Sequence, residues 1–140
     1  MATDEDTPRA IIRRLLAEKG DDAVNTSIDI LEMLASSLIG LIGEQGFETL
    51  LYRSAHRVNL DFRWLHYDAR TAPSDPEFNL LRECFDGQPA QLAHAASELL
   101  LTTLIDVLAV LIGEHMTMLI VQPALARASA GNNSKEQDHG

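Results

Sequence analysis

Two similar stretches decide the fold of this 140-residue chain: SIDILEMLASSLIGLIGE at 27–44 and SELLLTTLIDVLAVLIGE at 97–114. Both stretches repeat apolar residues at steps of three and four, which is the period of an amphipathic helix. Eight of the 18 positions are identical, four of them in the shared ending Leu-Ile-Gly-Glu. The match predicts two similar halves, each formed by a long helix, a glycine break and a shorter helix.

The fold class expected from this pattern is all-α. No alternating run of β-branched residues and no Asn-Gly hairpin turn is present. A single helical hairpin cannot bury its apolar face alone, but two hairpins can bury theirs against each other. We therefore predict a bundle of about four main helices, built from the two halves, with short accessory helices. The alternative is that two Leu-rich helices resemble each other by chance.

Local signals place the boundaries of these helices. Thr7 and Pro8 predict an N-cap and a first helical residue, and Gly20 predicts the end of that helix. Further helices are expected at about 22–43, 47–60, 76–85 (with Asp75 as N-cap and Pro76 at its first position) and from Pro89 onward. Whether 89–121 is one helix or breaks at Gly113 is open. Residues 1–128 form one domain in this interpretation, with a disordered lead at 1–7 and a disordered tail at 129–140.

Composition and charge exclude several classes of function. The net charge of −10 repels phosphate backbones and anionic lipid surfaces, so neither nucleic acid nor membrane is expected as a partner. Cys84 is the sole cysteine, which excludes an internal disulfide and a cysteine-based zinc site. The acidic N-terminus lacks the apolar segment of a signal peptide, and the apolar stretch 99–121 is interrupted by charge. These features predict a cytoplasmic protein with a buried central helix.

No motif for catalysis is present. The chain lacks a nucleophile elbow, a phosphate-binding loop, a dinucleotide fingerprint and a His-Glu-x-x-His zinc motif. Glu44 and Glu114 occupy equivalent positions, with His115 beside the second, but the Glu-x-x-His pattern of di-iron bundles is missing. We therefore expect no catalytic residue, no bound metal and no cofactor, and interpret Cys84 as a small apolar side chain.

The least ordinary stretch is RSAHRVNLDFRWLHYDAR at 53–70, which is locally basic in an acidic protein and holds the only Trp. Arginine with Trp and Tyr is the composition of interface hot spots, and Arg53 and Arg57 share a helix face that could bind a carboxylate or phosphate. The candidate residues for binding a partner or an anion are Arg53, His56, Arg57, Arg63, Trp64, His66, Tyr67 and Arg70. The competing interpretation is that Trp64 closes the end of the core and the arginines pair with acids of the same chain.

Two functions remain open from sequence. The first is a non-enzymatic regulatory or protein-interaction module, a homodimeric helical bundle that docks on a partner protein. The second is a bundle that binds a small apolar molecule, with a pocket lined by Glu44, Glu114, His115 and Met116; a carboxylate and histidine metal protein or enzyme is a variant of it.

Overall fold

The computed structural model describes residues 7–67 and 78–138, which form helices joined by short connections. The helices are α1 (Pro8–Lys19), α2 (Ala23–Asp61), α3 (Asn79–Phe85), α4 (Ala90–Ile112) and α5 (Glu114–Asp138), and a single 3-10 turn, Gly20–Asp22, joins α1 to α2. No β-strand occurs in these two segments. The predicted all-α class is confirmed.

Helix α1 begins and ends where its sequence predicts. The Thr7 hydroxyl accepts a hydrogen bond from the Ala10 amide at 3.2 Å, and Pro8 occupies the first turn, where no amide donor is needed. Gly20, with φ of 56°, ends the helix and donates its amide to the Leu16 carbonyl. Leu16 is fully buried, so α1 packs against the core along its apolar face.

Glycines interrupt both long helices. Gly43 lies inside α2 with non-helical dihedral angles, so α2 consists of a first arm, 23–42, and a second arm, 44–61. Gly113 likewise separates α4 from α5, and its amide donates to the Ala109 carbonyl at 2.8 Å as the last bond of α4. The question left open by the sequence is thereby answered: residues 89–121 break at Gly113.

Burial repeats with the same 70-residue offset as the sequence. Before the breaks, the pairs Leu31/Leu101, Leu34/Leu104 and Leu38/Leu108 are buried in both stretches, and Leu41/Leu111 is exposed in both. After the breaks, positions 45–55 and 115–125 share no identical residue, yet the side chains at 47/117, 51/121, 54/124 and 55/125 are all buried. These positions of the two stretches are therefore buried in both, even though their residues differ.

Helix α3 lies alongside the second arm of α2. Phe78 contacts Phe47 edge to face, with ring centroids 6.4 Å apart, and Phe85 contacts Trp64 in the same way at 5.6 Å. Phe78, Leu81 and Phe85 are buried, as their spacing predicts. A helix was predicted at 76–85, and α3 begins at Asn79. Phe78 precedes it with a left-handed φ of 53°, which does not belong to a helix. The proposed caps Asp75 and Pro76 lie outside the described residues.

Two other boundaries differ from the sequence-based expectation. Pro89 takes the N-cap position of α4 with an extended ψ of 142°, so the helix starts one residue later, at Ala90. Helix α5 extends to Asp138 and includes Pro123, so it covers most of the tail expected to be disordered from 129. The lead at 1–6 lies outside the described residues.

Helices α2 and α4 are long and apolar enough to cross a membrane by length and composition. Half of the most apolar window of α4 is buried inside the protein, and Gly43 divides α2 into two arms. The core of a soluble bundle meets the same criteria, so these helices do not determine where the protein resides.

Candidate functional site

An open groove of about 740 Å³ runs between α1, the end of α2 and the first two-thirds of α4. Its walls carry three arginines, three carboxylates and a histidine, together with apolar and hydroxyl side chains. The lining residues are Arg9, Arg13, Arg57, Asp61, Phe62, Gln91, His94, Ala95, Glu98, Leu99, Thr102, Thr103 and Asp106.

Ion pairs between α1 and α4 neutralise one wall of the groove. Arg9 binds Asp106 through Nη2 and Oδ2, and Arg13 Nε lies 3.4 Å from Glu98 Oε2. His94 Nε2 lies 3.9 Å from Glu98 Oε1, one turn away on the same helix. Since Arg9 pairs with the later residue of α4 and Arg13 with the earlier one, α1 runs antiparallel to α4.

Arg57 lines the opposite wall and has no ion-pair partner in the described parts of the chain. Asp61, one turn further along α2, also lines the groove without an ion pair there. Apolar Phe62 and Leu99 also line the groove. The groove therefore offers a cation, a carboxylate and an apolar surface close together.

The described part of the Arg and aromatic stretch, residues 53–67, does not form one surface. Arg53, His56, Arg57 and Arg63 are exposed, whereas Tyr67 is buried in the core. His66 is exposed, and His56 stacks on Tyr52 with ring centroids 6.0 Å apart. Arg70 lies outside the described residues. The cations thus face solvent while Tyr67 is buried.

Trp64 closes the end of the core. Its half-buried ring packs edge to face on Phe62 and Phe85, at centroid distances of 5.9 and 5.6 Å. The chain reaches this position by a turn held by Asn59, whose amide donates to the carbonyls of Arg63 at 3.1 Å and Leu65 at 3.0 Å. These contacts match the structural interpretation of Trp64 better than the binding one.

The residues of the alternative pocket lie at the glycine breaks. Glu44, Glu114, His115 and Met116 are all exposed, and none of them lines the groove. No group of three or more metal-ligating side chains occurs among residues whose placement is described. Cys84 is half-buried, and its thiol donates to the Leu80 carbonyl at 3.4 Å, which agrees with a packing role.

Exposed apolar side chains are concentrated, along the sequence, around the two glycine breaks. Nine large apolar side chains of the described chain are exposed, and six of these lie within six residues of Gly43 or Gly113. We call these six the break surface: Ile39, Leu41, Val110, Leu111, Met116 and Leu119. Val110 is 86 % exposed, more than any other of the nine.

Sequence reasoning missed most of the groove because its walls come from three helices. A signal was present: Arg9 and Arg13 are four residues apart, and His94, Glu98, Thr102 and Asp106 follow each other at the same step. That step places each set on one helix face. The pairing of the two faces is a tertiary property that the spacing does not give.

Comparison with known proteins gives no match: no protein-family model, no curated protein and no solved structure is similar to this chain.

Proposed function

We propose that this chain is a non-enzymatic, regulatory protein-interaction module that docks on a partner protein through its break surface. The observation that carries the proposal is the exposure of Val110, Leu111 and Leu41 at the two breaks. Exposed apolar side chains gathered in one region, as opposed to scattered singly, mark binding surfaces of soluble proteins.

The proposal includes a bundle of two similar halves with both breaks at one end. Arg57 and Phe62 share the groove with the first two-thirds of α4, and we infer that the second arm of α2 runs antiparallel to α4. Gly43 precedes Arg57, and Gly113 follows Asp106, so an antiparallel course brings the two breaks toward each other. The matched burial of the two stretches, with Leu31/Leu101 as an example, supports the same arrangement.

A paired variant tests the docking. Val110→Ser with Leu111→Ser removes the most exposed apolar groups, while Leu60→Ser removes an exposed leucine away from the breaks. Both variants should fold normally, because each surface change alters stability by about 0.5 kcal/mol or less. Affinity purification from the source cells, quantified by mass spectrometry, should identify a protein that the double variant loses and Leu60→Ser retains. That protein must then bind the purified chain.

The proposal would be contradicted if the parent chain and the double variant captured the same set of proteins. Loss with Leu60→Ser as well as with the double variant would also contradict it, because the effect would not be specific to the break surface.

Homodimerisation is a separate part of the proposal. A helix as apolar as α4 could form a subunit interface, but Leu101, Leu104 and Leu108 of α4 are buried within a single chain. These leucines therefore do not require a second copy. Light scattering at micromolar concentration tests the dimer, and a mass equal to one chain would exclude it.

A small carboxylate ligand is a second candidate, favoured by Arg57, which lines the groove together with Phe62 and forms no ion pair with the residues that the structure describes. Benzoate combines a carboxylate with an apolar body and is a suitable probe, with benzylamine as its cationic control. Titration calorimetry should show saturable benzoate binding that Arg57→Ala weakens about tenfold, since charge-assisted hydrogen bonds are worth roughly 1.5–3 kcal/mol. Arg53→Ala is the matched control, and equal heats for parent and Arg57→Ala would contradict this candidate.

A further inference from the structure

The break surface has a charge pattern that indicates what kind of partner it fits. No Lys or Arg occurs at 36–52 or at 107–126, the stretches on either side of Gly43 and Gly113. The same stretches contain Glu44, Glu48 and Glu114. The two stretches that carry the apolar side chains of the break surface therefore contain carboxylates and no lysine or arginine.

The nearest arginine contact on α4 does not change this pattern. Arg9 reaches α4 at Asp106, seven residues before Gly113, and the two side chains form an ion pair. This pair is neutral as a unit. The two stretches contain one histidine, His115.

We propose that the break surface binds a cationic amphipathic helix of a partner protein; this inference rests on the proposed function and names the chemistry of that partner. The helix lays its apolar face on Val110, Leu111 and Leu41, and its lysines or arginines face Glu44 and Glu114. Recognition of an amphipathic helix by an apolar surface is a recurring mode of peptide binding, and opposite charge at the rim adds specificity and speeds association.

Charge also argues against the two other occupants of such a surface. A second copy would bring Glu44 and Glu114 against the same carboxylates, between chains that each carry a net charge of −10. An anionic lipid surface meets the same repulsion. Of a cationic helix, a second copy and an anionic lipid surface, only the cationic helix gains both apolar contact and charge pairing.

The test uses the full chain and a synthetic peptide of Leu and Lys arranged as an amphipathic helix, labelled for fluorescence anisotropy. Controls are a Leu and Glu peptide of the same pattern and a Leu and Lys peptide of the same composition without amphipathic order. The chain variants are Val110→Ser with Leu111→Ser, Glu44→Gln with Glu114→Gln, and Leu60→Ser. Circular dichroism confirms that each variant is folded.

The expected result is binding of the amphipathic Leu and Lys peptide that the serine variant weakens about tenfold or more, as for an interface hot spot. The glutamine variant should weaken binding several-fold and reduce its dependence on salt, because fewer charges then face the peptide. The Leu and Glu peptide should not bind, and Leu60→Ser should bind like the parent chain.

Other outcomes separate the inference from the proposed function. If both amphipathic peptides bind equally and the serine variant loses both, the surface docks helices but the cationic preference is wrong. If the parent chain is a dimer and the serine variant is a monomer, the surface binds a second copy and the proposed cationic helix is wrong. The same holds if the parent chain binds neutral phosphatidylcholine vesicles through this surface. The serine variant and the parent chain could have the same affinity for both peptides, the same solution mass and the same binding to vesicles. In that case the proposal that this surface docks a partner is wrong.

Discussion

Gly43 and Gly113 adopt nearly the same backbone conformation although they are 70 residues apart. Their dihedral angles are φ 81°, ψ 167° and φ 89°, ψ 157°, a region of the Ramachandran map that only glycine occupies readily. Each follows Leu-Ile and precedes Glu. The shared motif therefore has a conformational reason, since both stretches need a residue without Cβ at the same point.

This geometry predicts the effect of alanine at the breaks. Gly43→Ala and Gly113→Ala should each lower the free energy of unfolding by about 1–3 kcal/mol, because a Cβ strains this conformation even though open space surrounds it. Gly40→Ala is the matched control: Gly40 is helical and equally open, so alanine there should raise stability by about 0.5–1 kcal/mol. Urea unfolding measures all three, and a rise in stability for Gly43→Ala would contradict the strained conformation.

Helix α1 should be held by burial more than by its ion pairs. Leu16→Ala should cost about 2–5 kcal/mol, as for other fully buried leucines. Arg9→Ala should cost about 1 kcal/mol or less, because both Arg9 and Asp106 are about half exposed and solvent screens their attraction. Thermal unfolding at low and high salt distinguishes the two contributions. A cost for Arg9→Ala equal to that of Leu16→Ala would contradict this ranking.

Trp64 should behave as a core residue. Trp64→Ala should lower the free energy of unfolding by about 2–4 kcal/mol, since it removes the contacts with Phe62 and Phe85. Trp64→Phe should cost less because it keeps an aromatic ring in place. Denaturant unfolding followed by circular dichroism measures both variants, and an alanine variant as stable as the parent would favour a binding role for Trp64.

Asn59 should stabilise the turn that follows α2. Asn59→Ala removes two hydrogen bonds, to the carbonyls of Arg63 and Leu65, and should cost about 1–2 kcal/mol. Hydrogen exchange should show faster exchange at the Leu65 amide, which bonds to Phe62 within the same turn. Gln122→Ala, on an exposed amide side chain away from this turn, is the control. If Asn59→Ala lowered the free energy of unfolding as little as Gln122→Ala, the turn would hold without Asn59.

The sequence predicted the elements whose signals are local. The cap at Thr7 and the end of α1 at Gly20 each depend on a few neighbouring residues, and the structure has both. The break at Gly113, which the sequence left open, is also present. Buried positions such as Leu31 and Leu104 also follow from periodicity alone. The start of α4 was less certain because Pro89 fits both the cap and the first turn.

The candidate site was harder to predict because it depends on contacts between helices. The composition of 53–70 suggested one patch, but Tyr67 is buried and Trp64 faces the core. Arg57 lies instead with Arg9 and Arg13, which are more than 40 positions away in the chain. A sequence window cannot bring such residues together.

The buried hydroxyl groups have a consequence for how the helices find their alignment. Ser27, Ser54 and Thr102 each donate to a carbonyl of their own helix, one turn earlier. Such bonds form in an isolated helix and therefore give no preference for one neighbour over another. Within the core, the alignment of each helix against the next thus depends on the volumes of leucine, isoleucine and alanine side chains. Exchanges that conserve the total volume of a facing pair should be tolerated, whereas an added methylene at a fully buried position such as Leu38 should cost about 1–3 kcal/mol.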